Sequence, residues 1–101
     1  MDTKTLINEA KARFNHNSAK AYLKDKYDSK FIVADQNGLW RANLETINFL
    51  NSSTEEWAVL IDTFDNPVKV KRVDLLYKLS DTYKNVMEEW HNEWAELEKK
   101  R

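Results

Sequence analysis

Apolar residues change their spacing along this chain, and the changes predict its elements. Leu6, Ile7, Ala10 and Phe14 fall at helical intervals, and after Ser18 so do Ala19, Tyr22, Leu23 and Tyr27, as the stripe of an amphipathic helix requires. Asn15, His16 and Asn17 separate the two sets. These residues favour caps over helix interiors, so the pattern reads as two short helices or one kinked one, with Ser18 as an N-cap. Phe31-Ile32-Val33-Ala34 is a β-prone run between polar segments. It ends in Asp35-Gln36-Asn37-Gly38, where the chain's single glycine predicts a strand-to-helix turn with a positive φ at Gly38. Beyond the turn, Trp40, Leu44 and Ile47 share one helical face, widened by Leu39, Phe49 and Leu50. A helix over residues 39–51 follows, stopped by the capping cluster Asn51-Ser52-Ser53.

The period then drops to two. Trp57, Val59 and Ile61 alternate with Ala58, Leu60 and Asp62; Asp65-Asn66-Pro67 reverses the chain; Val68 and Val70 alternate with Lys69 and Lys71. This predicts a β-hairpin over residues 56–72 with one buried and one wetter face. Pro67, which has no amide donor, belongs at the start of the second strand and on an edge. Trp40 and Trp57 are assigned to the core. From Asp74 to Lys99 the period returns to that of a helix: Leu76, Tyr83, Trp90 and Leu97 recur every seventh residue, with Leu79, Val86, Met87 and Trp94 beside them. A helix over residues 74–99 would be about 40 Å long, more than a small core can cover. The expected fold is α+β: N-terminal helices, a small antiparallel sheet made of the hairpin with residues 30–34 available as a third strand, a helix over 39–51 and the long C-terminal helix.

At 101 residues the chain is one domain with one modest core. Sixteen basic residues balance seventeen acidic ones, so the net charge supplies no general attraction to nucleic acid or an anionic membrane. No cysteine is present, which excludes disulfides and thiolate metal sites. The segment MDTKTLINEAKARF has no apolar signal-like run, and no window approaches the roughly 20 apolar residues that span a bilayer, so no membrane partner is expected. Four Trp, four Tyr and four Phe argue for an ordered chain.

Candidate chemistry is sparse. Glu88 and His91 form one E-x-x-H pair, with Glu93 nearby. Dinuclear carboxylate sites need two such pairs, so this one is assigned to a solvated face, and neither a metal nor a cofactor is expected. Asp62, Asp65 and Asn66 lack the spacing and the glycine of a calcium loop and suit a hairpin turn. With no nucleophile elbow and no glycine-rich loop, enzymatic activity is not expected. Lys69, Lys71, Arg72 and Lys78 make a local basic patch that phosphate could contact, weakened by Asp65 and Asp74 among them. Tyr83, Trp90, Trp94 and Leu97 lie toward the far end of the long helix. An exposed aromatic stripe rimmed by charge marks a partner surface, so these four are the candidate protein interface, with Glu89, Glu93, Glu96 and Glu98 setting its register and homo-oligomerisation through this helix as one outcome.

One resemblance joins several of these segments. Ala34-Asp35, then Arg41-Ala42-Asn43-Leu44 with Ile47, then Trp57, Asp62 to Asn66, Val68 and Val70, and finally Leu76, Leu79 and Trp90 together resemble a domain of unknown function found in bacteriophage and prophage tail proteins, beside or within tail-fibre proteins. The likeness covers about residues 31–99. Residues 1–30 lie outside it, and Gly38 stands where the family often carries serine or arginine. The resemblance transfers no catalytic residue. It implies a non-enzymatic virion component or tail-fibre assembly factor that contacts other tail or fibre proteins, in the virion tail or in the host cytoplasm during assembly. The competing expectation is a small phage-encoded regulator or inhibitor that binds a host protein or nucleic acid.

Overall fold

In the computed structural model, residues 3–99 are described, without the side chains of residues 4–7, 9, 10 and 12–14. Two long helices, α1 (Thr3–Asp28) and α3 (Arg72–Lys99), flank two small antiparallel hairpins, β1–β2 (Ile32–Asp35, Gly38–Arg41) and β3–β4 (Trp57–Ile61, Pro67–Lys71). A short helix α2 (Leu44–Ser52) joins the hairpins, and a single 3-10 turn, Ser29–Phe31, leads from α1 into β1. The fold is α+β, as the changes of period predict. It is also elongated, 66 × 24 × 19 Å, because helices of 26 and 28 residues cannot fold inside a sphere of this mass.

Helix α1 runs unbroken through Asn15, His16 and Asn17, and Ser18 caps nothing. The predicted contacts of Leu6, Ile7, Ala10 and Phe14 lie outside the described residues. What carries the helix past its poor formers is packing farther along: Leu23 and Tyr27 are buried one turn apart, and Phe31 continues their line. Tertiary burial outweighs propensities worth a few tenths of a kcal/mol per residue.

Residues 30–34 do not extend the sheet of the second hairpin. They fold back on their own neighbours, with Val33 opposite Trp40 and Asp35 opposite Gly38. The turn between them is two residues long, with Gln36 and Asn37 both at positive φ (46° and 64°), the geometry that matches the twist of paired strands. Gly38 has no positive φ. Its role is steric: a Cβ there would stand 2.5 Å from Trp40 Cζ2. The Trp40 indole lies over the glycine, almost fully buried, and donates its N–H to the Asp35 carbonyl at 2.8 Å. Leu39 and Trp40 therefore belong to a strand, and the predicted helix over 39–51 starts only at Leu44. Its N-cap is Asn43, whose side-chain oxygen accepts from Thr46 N–H at 2.8 Å.

The β3–β4 hairpin pairs Trp57 with Lys71, Val59 with Lys69 and Ile61 with Pro67. Flanking bonds from Arg72 N–H to the Glu56 carbonyl and from Asp62 N–H to the Asn66 carbonyl carry the pairing across residues 56–72, as predicted. The core collects Tyr27, Phe31, Val33, Trp40 and Leu50 with Val70, Leu75 and Leu79. It sits where the hairpins and α2 meet the first half of α3 and the end of α1.

Candidate functional site

The expected interface on α3 falls largely inside the chain. Helix α1 lies antiparallel along α3, and the contacts climb one as they descend the other: Phe31 meets Tyr83, Tyr27 meets Trp90, Lys26 meets Glu93 and His16 meets Glu98. Trp90 stacks on Tyr27 with ring centres 6.2 Å apart and planes 8° from parallel, and it meets Phe31 edge-on. Tyr83, Trp90 and Leu97 are all partly buried against the core. The stripe predicted to face another chain thus faces α1. Trp94 is the exception and remains exposed.

The glutamates beside this stripe also act within the chain. Glu93 accepts from Lys26 Nζ at 2.6 Å and from the Tyr27 hydroxyl, and Glu89 lies 3.5 Å from Lys30 Nζ. The bond from Lys26, followed by the bond from Tyr27, holds the Glu93 carboxyl below its ordinary range. The same Glu93 contact raises Lys26 and Tyr27. These pairs set the register of α1 on α3. Because Glu93 is committed here, the Glu88 and His91 pair stands alone on the surface. Among the described residues, no group of three or more His, Asp or Glu is placed to hold a metal ion.

Trp94 borders a shallow apolar groove of about 440 Å³ between the helices, walled by Leu23, Met87 and Trp90 and edged by Lys20 and Lys24. His91 tilts against Trp94 at 5.8 Å. No helix of the described residues is long and apolar enough to cross a membrane.

A second apolar surface lies on the second hairpin, which the alternation pattern placed the wrong way round. Trp57, Val59 and Ile61 point to solvent (49, 64 and 70 % exposed), and Ala58, Leu60, Val68 and Val70 turn inward. Period two shows that the faces differ but not which is buried. Val70 is fully buried in the core, and Ala58, Leu60 and Val68 pack against it. On the outer face the apolar row sits beside Pro67, Lys69 and Lys71, with Lys69 Nζ 5.8 Å from the Trp57 ring centre. Phe64 extends it at the hairpin tip, 69 % exposed.

Of the predicted basic patch, Lys69, Lys71 and Lys78 are at the surface, but Arg72 is withdrawn from it. Its guanidinium donates to the Leu50 carbonyl at 2.7 Å and to the Glu55 carbonyl at 2.5 Å. Nothing in the local sequence marked Arg72 as structural, since its acceptors lie 17 and 22 residues upstream.

Asp62 organises the hairpin tip. It is the buried acidic residue of the core region, with Oδ1 accepting from Phe64 and Asn66 N–H and Oδ2 from Leu39 N–H. Asp65, at φ 62°, completes the three-residue loop. The backbone bond from Asn66, ahead of those from Leu39 and Phe64, pulls the Asp62 carboxyl below its ordinary value of 3.8. A depressed carboxylate stabilises the fold fully above its ordinary value, and this stabilisation is lost as pH falls through the folded one. Asp62→Asn should therefore melt below wild type at pH 7, and the gap should narrow by pH 3; a gap that stays constant between thermal melts at the two pH values would refute this role.

Comparison with known protein families, with curated proteins and with solved structures finds no match to this chain.

Proposed function

We propose that this chain works without catalysis, as a contact module in a phage tail assembly: a virion component or a tail-fibre assembly factor, in the tail or in the host cytoplasm during assembly. The observation that carries the contact role is the outer face of the second hairpin. Trp57, Val59, Ile61 and Phe64 stand in water. A contiguous apolar patch rimmed by lysines has the composition of a protein-binding surface, where desolvated aromatic and aliphatic anchors supply affinity and the charged rim orients the partner. The tail assignment is supported by the resemblance of residues 31–99 to tail-associated domains. Trp94 and its groove offer a second contact surface on the helical side.

Two measurements test this reading. Mass spectrometry of purified particles and assembly intermediates should find the chain; absence from both would overturn the tail role. Ile61→Asp with Phe64→Asp should leave the circular dichroism spectrum unchanged and weaken capture of a tail partner at least about 30-fold, the effect of losing an interface anchor worth roughly 2 kcal/mol. Lys69 and Lys71 beside Trp57 favour the regulator reading, because stacking and phosphate contacts could share that face. Nucleic-acid affinity that falls steeply with salt and is lost in Lys69→Ala with Lys71→Ala would replace protein by nucleic acid as the partner.

A further inference from the structure

The two sides of the α1–α3 seam are finished differently. On one side, lysines one turn apart on α1 meet glutamates one turn apart on α3: Lys26 lies 2.6 Å from Glu93 and Lys30 lies 3.5 Å from Glu89. On the other side, Lys20 and Lys24 repeat that spacing on α1 and edge the groove walled by Leu23, Met87 and Trp90. Both lysines are exposed, and among the described residues neither has a salt bridge. The carboxylates one turn away are engaged elsewhere. Asp28, one turn after Lys24, is 3.0 Å from Arg41, and Glu98, one turn after Trp94, is 3.2 Å from His16. Asp25 directly follows Lys24, and adjacent residues on a helix do not face each other.

Between these lysines and α3 the groove is apolar and open, with Met87 and Trp94 36 and 40 % exposed. The α3 rim carries the opposite charge, because Glu88 adjoins Met87 and His91 at the surface. The open side of the seam therefore presents a basic rim, an apolar floor and an acidic rim in that order. The glutamates that close the other side have no counterpart opposite Lys20 and Lys24.

We propose that this groove seats an amphipathic α-helix of a partner protein, acidic along one flank only. This rests on the reading of the groove as a second contact surface and names its occupant. A third helix laid between two antiparallel ones reaches both at an axis separation of about 8–10 Å. Its apolar stripe would cover Leu23, Met87 and Trp94, and its acidic flank would face Lys20 and Lys24. Those lysines are four residues apart, about 6 Å of helical rise, which is the spacing of carboxylates at i and i+4 on the partner. The other flank meets Glu88, so acid there would be repelled and the helix is held in one orientation. An extended strand does not suit the site, because α1 and α3 bond their backbones internally and offer no edge. A small amphiphile does not suit it either, since so open a groove covers less of a ligand than the roughly 70–90 % typical of small-molecule sites. Burial of Trp94 and Met87 supplies the affinity, and the rim charges select the partner.

The test presents the full chain to a cell-surface display library of peptides about 18 residues long, enough to hold a helix. Each peptide carries a fixed leucine stripe, and both flanks are randomised among Glu, Gln and Lys. Wild type should enrich glutamate at i and i+4 on one flank and exclude it from the other. Lys20→Glu with Lys24→Glu, at two exposed positions that leave the core intact, should enrich lysine on that flank instead. A peptide enriched by wild type, synthesised and titrated, should bind this charge-swapped chain at least about tenfold more weakly, because two rim attractions become repulsions. Trp94→Ser, with an unchanged circular dichroism spectrum, should enrich no peptide. No enrichment by wild type, glutamate on both flanks, or a pattern indifferent to the charge swap overturns the proposal. So does a wild type that enriches no peptide yet binds a short oligonucleotide through Lys20 and Lys24. If no peptide is enriched while Ile61→Asp with Phe64→Asp still abolishes capture of a tail protein, the groove proposal fails and the hairpin contact stands. If the peptides bind as expected while particles and assembly intermediates lack the chain, the tail reading fails alone.

Discussion

Gly38→Ala should destabilise the protein by about 3 kcal/mol, the upper end of what an added methyl costs in a packed site, and lower its melting temperature by more than about 10 °C. The glycine's backbone is ordinary, so the cost comes from the Trp40 indole, which a Cβ would meet at 2.5 Å. The indole cannot simply move aside. It is buried and tied by its N–H to the Asp35 carbonyl, so displacement loses that bond and opens a gap beside Val33, its partner across the strands. The penalty should therefore depend on Trp40. In a Trp40→Leu background, itself destabilised by a few kcal/mol, Gly38→Ala should add less than about 1 kcal/mol, giving a coupling well above the few tenths expected of independent sites. Chemical denaturation of the four proteins measures this, and equal penalties in both backgrounds would show that the indole is not the cause.

Arg72→Met is expected to cost about 2–3 kcal/mol, the loss of two hydrogen bonds from a charged donor. Leu50 is the innermost residue of α2, and its carbonyl is among the last four of that helix, which have no partner within it. Arg72 supplies the partner and also holds the Glu55 carbonyl at the entry to β3. It thereby fastens α2 and the second hairpin to the first residue of α3. Methionine keeps much of the stem and removes the donors. Arg72→Lys should recover less than half of the loss, because an ammonium on a flexible stem does not match two acceptors held by a planar fork. Full recovery by lysine in urea denaturation would mean that charge alone is what the site requires.

The same two residues show where the sequence was legible. The Gln36-Asn37 turn lies one residue before the glycine that punctuation rules select, and reading Gly38 as the hinge turned the strand Gly38–Arg41 into the start of a helix. A tight hairpin at Asn-Gly was a readable alternative, though not the steric reason for the glycine. For Arg72, a surface cation and a cap for a distant helix have the same local sequence. The tryptophans of α3 mislead similarly: periodicity marks Trp90 and Tyr83 as one stripe, but it does not say that Tyr27 and Phe31 of the same chain lie against it.

The sequence by itself determined the second hairpin with its pairing across residues 56–72, the long terminal helix and the α+β class, because these depend on periods of 2 and 3.6 and on local turn chemistry. Only the tertiary structure decided which face of each element is buried. Ala58, Leu60, Val68 and Val70 of the second hairpin went inward and left Trp57, Val59 and Ile61 in solvent, and α1 covered most of the aromatic stripe of α3. Both outcomes follow from fitting shapes across elements far apart in the chain, where complementary volume and long-range hydrogen bonding select among faces that local periodicity leaves equivalent.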